Sequence, residues 1–179
     1  MSGLPPSVLS WIGVPRYDTQ SVIPVEQGYV WTFCAAVHDG NALYWNPEAA
    51  AEITDGPTAP PAMLSVWMRG HDWSPDADGP TLPLQIHFDL KQELALPEAI
   101  IADYSLTLHD PVRLGDLLRV RQVLRSVSEV KRTKLGHGRF WVIDVEYHRP
   151  GGASAGVETY TAFGYLTPDT GEKAGRDDR

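Results

Sequence analysis

The hydrophobic pattern changes period along the chain, and each period predicts a different element. Val30, Phe33, Cys34 and Val37 fall at i, i+3, i+4 and i+7, the spacing of one helix face. Residues 25–38 are therefore expected to be helical, with Val37 on the buried side. Glu26 falls in the first turn, where a carboxylate favours the helix dipole. The run His38-Asp39-Gly40-Asn41 supplies the turn that ends it. Residues Pro47 to Ile53 predict a short helix. Pro61 can open another at its first position, running through Ala62, Met63, Leu64, Ser65, Val66, Trp67 and Met68 to Gly70. Apolar residues cover most of its circumference, so this helix is expected to be buried. Residues 1–24 show no clean period and predict an irregular arm held to the body through Leu9, Trp11 and Ile12. A polar loop, His71 to Pro80, follows the buried helix.

From residue 84 the period is two. Leu84, Ile86, Phe88 and Leu90 alternate with polar residues, as do Tyr104, Leu106 and Leu108, then Leu118 and Val120, then Trp141, Ile143, Val145 and Tyr147. Val157, Thr159, Thr161, Phe163 and Tyr165 complete the set. These read as half-buried strands of a mostly antiparallel sheet. Leu135-Gly136-His137-Gly138 and Pro150-Gly151-Gly152 are hairpin signals. The pattern alone predicts an α+β domain with one sheet and few helices.

Composition narrows the function classes. Hydrophobic residues are 42% and charged residues 21% of the 179, enough to bury a core and too apolar for wholesale disorder. With 15 Lys and Arg against 23 Asp and Glu the formal charge is −8, which argues against a nucleic-acid surface. No apolar run has the length of a membrane span, and the N-terminus shows no secretory leader pattern. The single cysteine, Cys34, lies on the apolar helix face and is expected in the core. It can make no internal disulfide, and a cytoplasmic location is expected. The polar, charged tail is expected to be disordered.

Four stretches carry more specific information. They are Val25-Glu26-Gln27-Gly28 with Phe33 to Glu48; Ala59-Pro60-Pro61-Ala62-Met63-Leu64-Ser65; His109-Asp110-Pro111-Val112-Arg113-Leu114-Gly115-Asp116; and Lys134-Leu135-Gly136-His137-Gly138-Arg139-Phe140-Trp141. In this order over residues 25–166 they resemble the MaoC-like hot-dog proteins of the dehydratase N-terminal type. The resemblance extends to the MaoC-like half of the two-subunit enoyl-CoA hydratases of bacterial steroid side-chain degradation. It implies a single hot-dog fold, an antiparallel sheet wrapped around a buried central helix. The implied organisation is an N-terminal arm (1–24), a hot-dog domain (25–167) and a tail (168–179).

The same resemblance implies hydration of a trans-2-enoyl-CoA by an Asp and a His five positions apart, which together hold and activate water. A backbone N–H at a helix start would polarise the thioester carbonyl. Here Asp39 and Asn41 match the motif, Ala42 replaces its proline and Tyr44 occupies the histidine position. Ala62 replaces the glycine common at the oxyanion helix. A tyrosine, with a reference pKa of about 10, is not a base poised near neutrality. Asp39 is thus the candidate catalytic residue of a degenerate motif. The alternative is a turn carboxylate, and the adjacent His38 is read as a capping or solvated residue.

Asn41, Tyr44, Trp45, Pro61, Ala62, Met63 and Trp67 are the candidate substrate-binding residues. Each of the apolar ones can equally be core. Arg119, Arg121, Arg125, Lys131, Arg132 and Lys134 form the one local basic concentration, with Arg132 and Lys134 the candidates for the CoA phosphates. His71, His87, His109 and His148 have no metal-ligand spacing, and His87 and His148 are expected at the surface. No metal or redox cofactor is expected beyond coenzyme A as part of the substrate.

By resemblance the chain is expected to act on a bulky acyl-CoA of steroid (cholesterol) catabolism. Its partner would be a small MaoC-like hot-dog subunit that carries the intact Asp/His pair, in an α₂β₂ heterotetramer. A downstream aldolase is a further expected partner; nucleic acid and membrane are not. Two other readings stand beside this one. One is a self-sufficient homodimeric hydratase or thioesterase. The other is a non-catalytic acyl-CoA-binding scaffold.

Overall fold

The computed structural model describes residues 3–68 and 84–168. The loop read at His71–Pro80 and most of the tail lie outside these residues. Five α-helices, one 3-10 helix and six strands follow along the described chain: α1 (Pro6–Trp11), β1 (Pro15–Gln20), α2 (Gln27–Val37), α3 (Ala42–Trp45), α4 (Pro47–Thr54), the 3-10 helix (Pro61–Met68), α5 (Gln85–Glu93), β2 (Glu98–Leu108), β3 (Arg119–Val127), β4 (Lys131–Thr133), β5 (Gly136–His148) and β6 (Ser154–Leu166).

The strands form one sheet in the order β1-β3-β5-β6-β2, and β4 continues the line of β3 along the start of β5. Every pairing is antiparallel. Both hairpin signals are turns in the structure. Lys134-Leu135 joins β4 to β5, and at the second turn Gly151 and Gly152 adopt φ of 89° and 92°, a region that favours glycine.

Alternation along β5 sets the faces. Trp141, Ile143, Val145 and Tyr147 are buried, while Val142, Asp144, Glu146 and His148 are only partly so. Two apolar clusters occupy the buried face. In the first, the 3-10 helix (Met63, Leu64, Trp67) and α2 (Val30, Cys34) pack over Val145 and Tyr147. In the second, α5 (Ile86, Leu90) and Val8 of α1 pack over Trp141, Ile143 and Leu124.

Several expectations are corrected. Residues 84–90 are not a strand. Ile86, His87 and Leu90 are buried while Phe88 is 41% exposed, an i, i+1, i+4 stripe that only a helix can produce. The apolar alternation of Leu84, Ile86, Phe88 and Leu90 mimicked a strand because Phe88 faces away from the core. α5 therefore joins the 3-10 helix, α2 and α1 in covering the sheet.

The arm is not irregular: α1 buries Val8, and β1 is an edge strand of the sheet. Leu9 is 54% exposed, so the contact falls to Val8, with Trp11 and Ile12 partly buried against the same cluster. Proline at the first helical position accounts for the start of α1. Tyr17 then ties β1 to α5 by donating to Asp89 Oδ2, and Arg16 lies 4.3 Å over the Trp11 ring.

Val37 is 55% exposed, because the helix unwinds one residue later and leaves nothing to cover it. Glu26 is the N-cap residue, not part of the first turn.

His87 is also corrected from surface to core. It is 9% exposed, and Nε1 of the buried Trp141 donates to its Nδ1 at 3.2 Å. Burial, and then the Lys91 charge, lower its pKa from the ordinary 6.5. An unfolded chain would therefore take up a proton at a pH where the folded chain does not. This contribution to stability is whole above the unfolded pKa of about 6.5 and is lost as pH falls below it. In urea unfolding between about pH 7 and pH 5, stability should decline by up to about 1.4 kcal/mol per pH unit. His87→Gln keeps an acceptor for Trp141 and should flatten that slope. An equal slope in both proteins would remove His87 as its cause.

Candidate functional site

The turn after α2 is built by its own polar residues. His38 caps the helix in the left-handed region (φ 58°, ψ 37°), and the Asp39 N–H donates to the Cys34 carbonyl at 2.8 Å. Asp39 Oδ1 accepts from the Asn41 N–H at 2.9 Å, and Asn41 Oδ1 accepts from the Leu43 N–H at 3.1 Å, capping α3. Two tryptophans brace the turn. Trp45 Nε1 donates to the Asp39 carbonyl at 2.7 Å, and Trp31 Nε1 donates to the Tyr44 carbonyl at 3.0 Å. Their rings stack, with centroids 6.2 Å apart and planes 7° apart.

Tyr44 is partly buried against the first apolar cluster, which also contains Met63 and Trp67. Burial raises its pKa, the Asp39 carboxylate raises it further, and Cys34 adds to the effect. Burial, then Asp39, likewise raise the Cys34 thiol. The field of Asp39 thus reaches both groups, and it pushes both away from a proton-accepting state near neutrality. Among the described residues no hydrogen bond joins Asp39 to Tyr44, and no group of His, Cys, Asp and Glu could hold a metal ion.

The structure brings Asp39, Asn41, Tyr44 and Trp45 together in this turn and joins Tyr44 to Met63 and Trp67 through the core. Pro61 and Ala62 are exposed at the start of the 3-10 helix. Trp67 packs edge-on to Tyr29, and its buried Nε1 has no hydrogen-bond partner among the described residues.

Arg132 and Lys134 are not brought to this region. They lie exposed on the β4–β5 hairpin, where Arg132 pairs with His137. Tyr147 is ten residues farther along β5, about 30 Å at roughly 3.3 Å per residue. The arginines of β3 lie on the outer face in ion pairs: Arg119 with Asp18, Arg121 with Glu146, and Arg125 with Asp144 and Glu146. His109 is exposed, with Nδ1 2.7 Å from Ser154 Oγ, and His148 lies 3.6 Å from Glu146.

A second polar group escaped the sequence reading. Glu158 is 4% exposed, and three phenols donate to it: Tyr104 to Oε1 at 2.8 Å, and Tyr147 and Tyr160 to Oε2 at 2.6 and 3.2 Å. Its signal appears only with register. Val145 on β5 and Leu106 on β2 lie opposite Glu158, so it shares the helix-bearing face. The residues expected to point inward from β6 (Val157, Thr159, Thr161, Phe163) lie on the other face. Gly156, Glu158, Tyr160 and Ala162 take the inner positions, where small residues admit the covering helices.

One antiparallel sheet with its helices on one face, and a degenerate Asp-x-Asn turn at the end of a helix, define a hot-dog protein of the dehydratase and hydratase class. The chain belongs to the FAS1-like dehydratase family, whose domain-region model matches residues 10–154. It is 28% identical over 131 residues to the "Probable enoyl-CoA hydratase alpha subunit" of Thermomonospora curvata, covering 72% of this chain and 40% of that protein. The chain thus spans less than half the length of that relative. Among solved structures, a chain of the ChsH1-ChsH2 complex of Mycobacterium tuberculosis superposes with a TM-score of 0.70 at 24% identity, covering 86% of this chain and 89% of that one. A chain of the HadBC (3R-hydroxyacyl-ACP dehydratase) complex of the same organism superposes with a TM-score of 0.58 at 19% identity, covering 86% and 97%. These likenesses establish the hot-dog fold. No helix among the described residues is long and apolar enough to cross a membrane.

Proposed function

We propose that this chain is the non-catalytic half of a two-subunit 2-enoyl-CoA hydratase acting on a bulky acyl-CoA, with steroid side-chain thioesters as the leading candidates. The observation that carries this reading is Tyr44. It stands where the motif needs a histidine, and its surroundings hold its proton on instead of readying it for transfer. Asp39 has one oxygen engaged by the Asn41 N–H, as a turn residue does. The paired Asp and His are then assigned to a second hot-dog subunit. The multi-subunit names of the similar proteins support such a partner.

A bulky acyl group is supported by the open inner face of β2. Ile101, Tyr104 and Leu108 are each nearly half exposed there, and Leu106 is partly so. An uncovered apolar strip of this kind marks a ligand or partner site. Ala62 at the start of the 3-10 helix is assigned the role of presenting a backbone N–H to the thioester carbonyl. Arg132 and Lys134 are candidates for the CoA phosphates only if the bound thioester reaches the β4–β5 hairpin, the length of β5 away from Tyr147. A cytoplasmic location and a downstream aldolase that consumes the product belong to the same reading.

The test is to express the chain alone and with any small hot-dog protein encoded beside it. Loss of the enoyl thioester absorbance is then followed on short-chain and steroid 2-enoyl-CoA. Turnover confined to the co-purified pair supports the reading, and turnover by the lone chain contradicts it.

A further inference from the structure

Glu158 is a buried carboxylate whose donors are all phenols. A carboxylate out of water needs several hydrogen bonds to offset its lost hydration, and Tyr104, Tyr147 and Tyr160 supply three. Tyr104 and Tyr147 are in turn held protonated. Burial, then Glu158, push Tyr104 up to about 12 and raise Tyr147 as well. Each phenol has one hydrogen. Once Tyr104 gives its hydrogen to Glu158, its oxygen can only accept.

The cluster also lies at the edge of the open strip. Tyr104 sits opposite Tyr160, Leu106 opposite Glu158 and Leu108 opposite Gly156, all on the helix-bearing face. Tyr104 is 48% exposed, and its ring lies 5.1 Å from that of Tyr160, tilted by 55°. Its neighbours along the inner face of β2 are Ile101, Leu106 and Leu108. The strip is therefore apolar except at one place, and at that place it offers acceptors.

We propose that Tyr104, held by Glu158 and backed by Tyr160, is a hydroxyl-recognising site on this strip that selects acyl groups bearing a free hydroxyl over those bearing a ketone at the same carbon. A ligand hydroxyl can donate to the Tyr104 oxygen. A ketone can donate nothing, and it meets the oxygen lone pairs unless Tyr104 gives up Glu158. Glu158 is a positioning residue here, since it acts by fixing the direction of the Tyr104 hydrogen. The inference rests on the hydratase reading in taking the ligand to be an acyl-CoA with a bulky, ring-bearing acyl group.

The experiment uses two saturated acyl-CoA thioesters that differ only by a hydroxyl or a ketone on the ring part of the acyl group. Neither can be hydrated, so binding is read without turnover. Dissociation constants are measured by calorimetry on the chain with its hot-dog partner. The hydroxyl form should bind about tenfold more tightly, a difference of about 1.4 kcal/mol. Tyr104→Phe, which keeps the ring, should bring the ratio to within about twofold. Glu158→Gln should also erode it, because the amide can donate to the phenol and let Tyr104 turn its hydrogen to a ketone.

Equal affinity for the two thioesters, no binding of either, or a preference unchanged in Tyr104→Phe would each overturn the proposal. The hydratase reading fails separately. Preference without hydration of the matching enoyl-CoA leaves the hydroxyl site standing, and hydration without preference leaves the hydratase standing.

Discussion

Gly164→Ala is expected to cost the fold about 3 kcal/mol or more, and Gly164→Val to leave little folded protein. A Cβ at Gly164 would stand 2.0 Å from Cη2 and 2.4 Å from Cζ3 of Trp141. Trp141 is fully buried, and its Nε1 is anchored on His87 of α5. The ring cannot step aside without breaking that bond and parting the sheet from Ile86 and Leu90. Overpacking of this kind costs about 1–3 kcal/mol, and a buried N–H left without its acceptor adds about 1–3 more. Against a total stability of about 5–15 kcal/mol, the sum is a large fraction. Gly28→Ala is the matched control. It lies in α2 with open space around its Cβ position, and there alanine should stabilise by about 0.5–1 kcal/mol. Urea unfolding of the two variants checks both signs. A tolerated Gly164→Ala would mean that the Trp141 ring is not fixed as described.

The second large effect is on rate. Proton transfer by a positioned acid or base contributes roughly 10²- to 10⁴-fold, and among the described residues no hydrogen bond joins Asp39 to a second acid or base. The nearest candidates, Tyr44 and Cys34, are both pushed upward in pKa. His38 is turned out to solvent by its left-handed backbone. The lone chain should therefore hydrate a 2-enoyl-CoA at least about 10²-fold more slowly than the complex at equal site concentration. Single-turnover rates of the two preparations measure the ratio directly. A ratio near one would show that the chain carries a complete site.

Much of this was legible in the sequence because local chemistry agreed with the final packing. The short helix expected from Pro47 is α4, and the structure adds its cap, Asn46 Oδ1 accepting from the Glu48 and Ala49 N–H groups. The Gly-rich hairpins and the β5 alternation are likewise written in single residues. The failures occurred where a local pattern had two readings that only the tertiary structure could separate. Leu84 to Leu90 fits a strand as well as a helix until Phe88 is seen to face away from the core. β6 carries its apolar residues on the outer face, where Phe163 stacks with Phe140 and Tyr165, while the inner face holds a carboxylate.

The candidate site divides in the same way. Asp39, Asn41, Tyr44 and Trp45 are contiguous, so a motif could find them. Glu158 and its three tyrosines come from β2, β5 and β6, and no spacing in one dimension relates them. Arg132 and Lys134 were named by charge, and charge alone did not reveal that the length of β5 separates them from the apolar cluster.

The central claim is that this chain completes the enzyme without performing the proton transfers. Asp39→Ala in the purified two-subunit complex tests it most directly, with kcat and KM measured on a 2-enoyl-CoA substrate. The account predicts kcat within about twofold of the parent complex, because Asp39 closes a turn and is not one of the groups that move protons. A fall of about 10²-fold or more in kcat, with the complex intact, would contradict it and make Asp39 a catalytic acid or base.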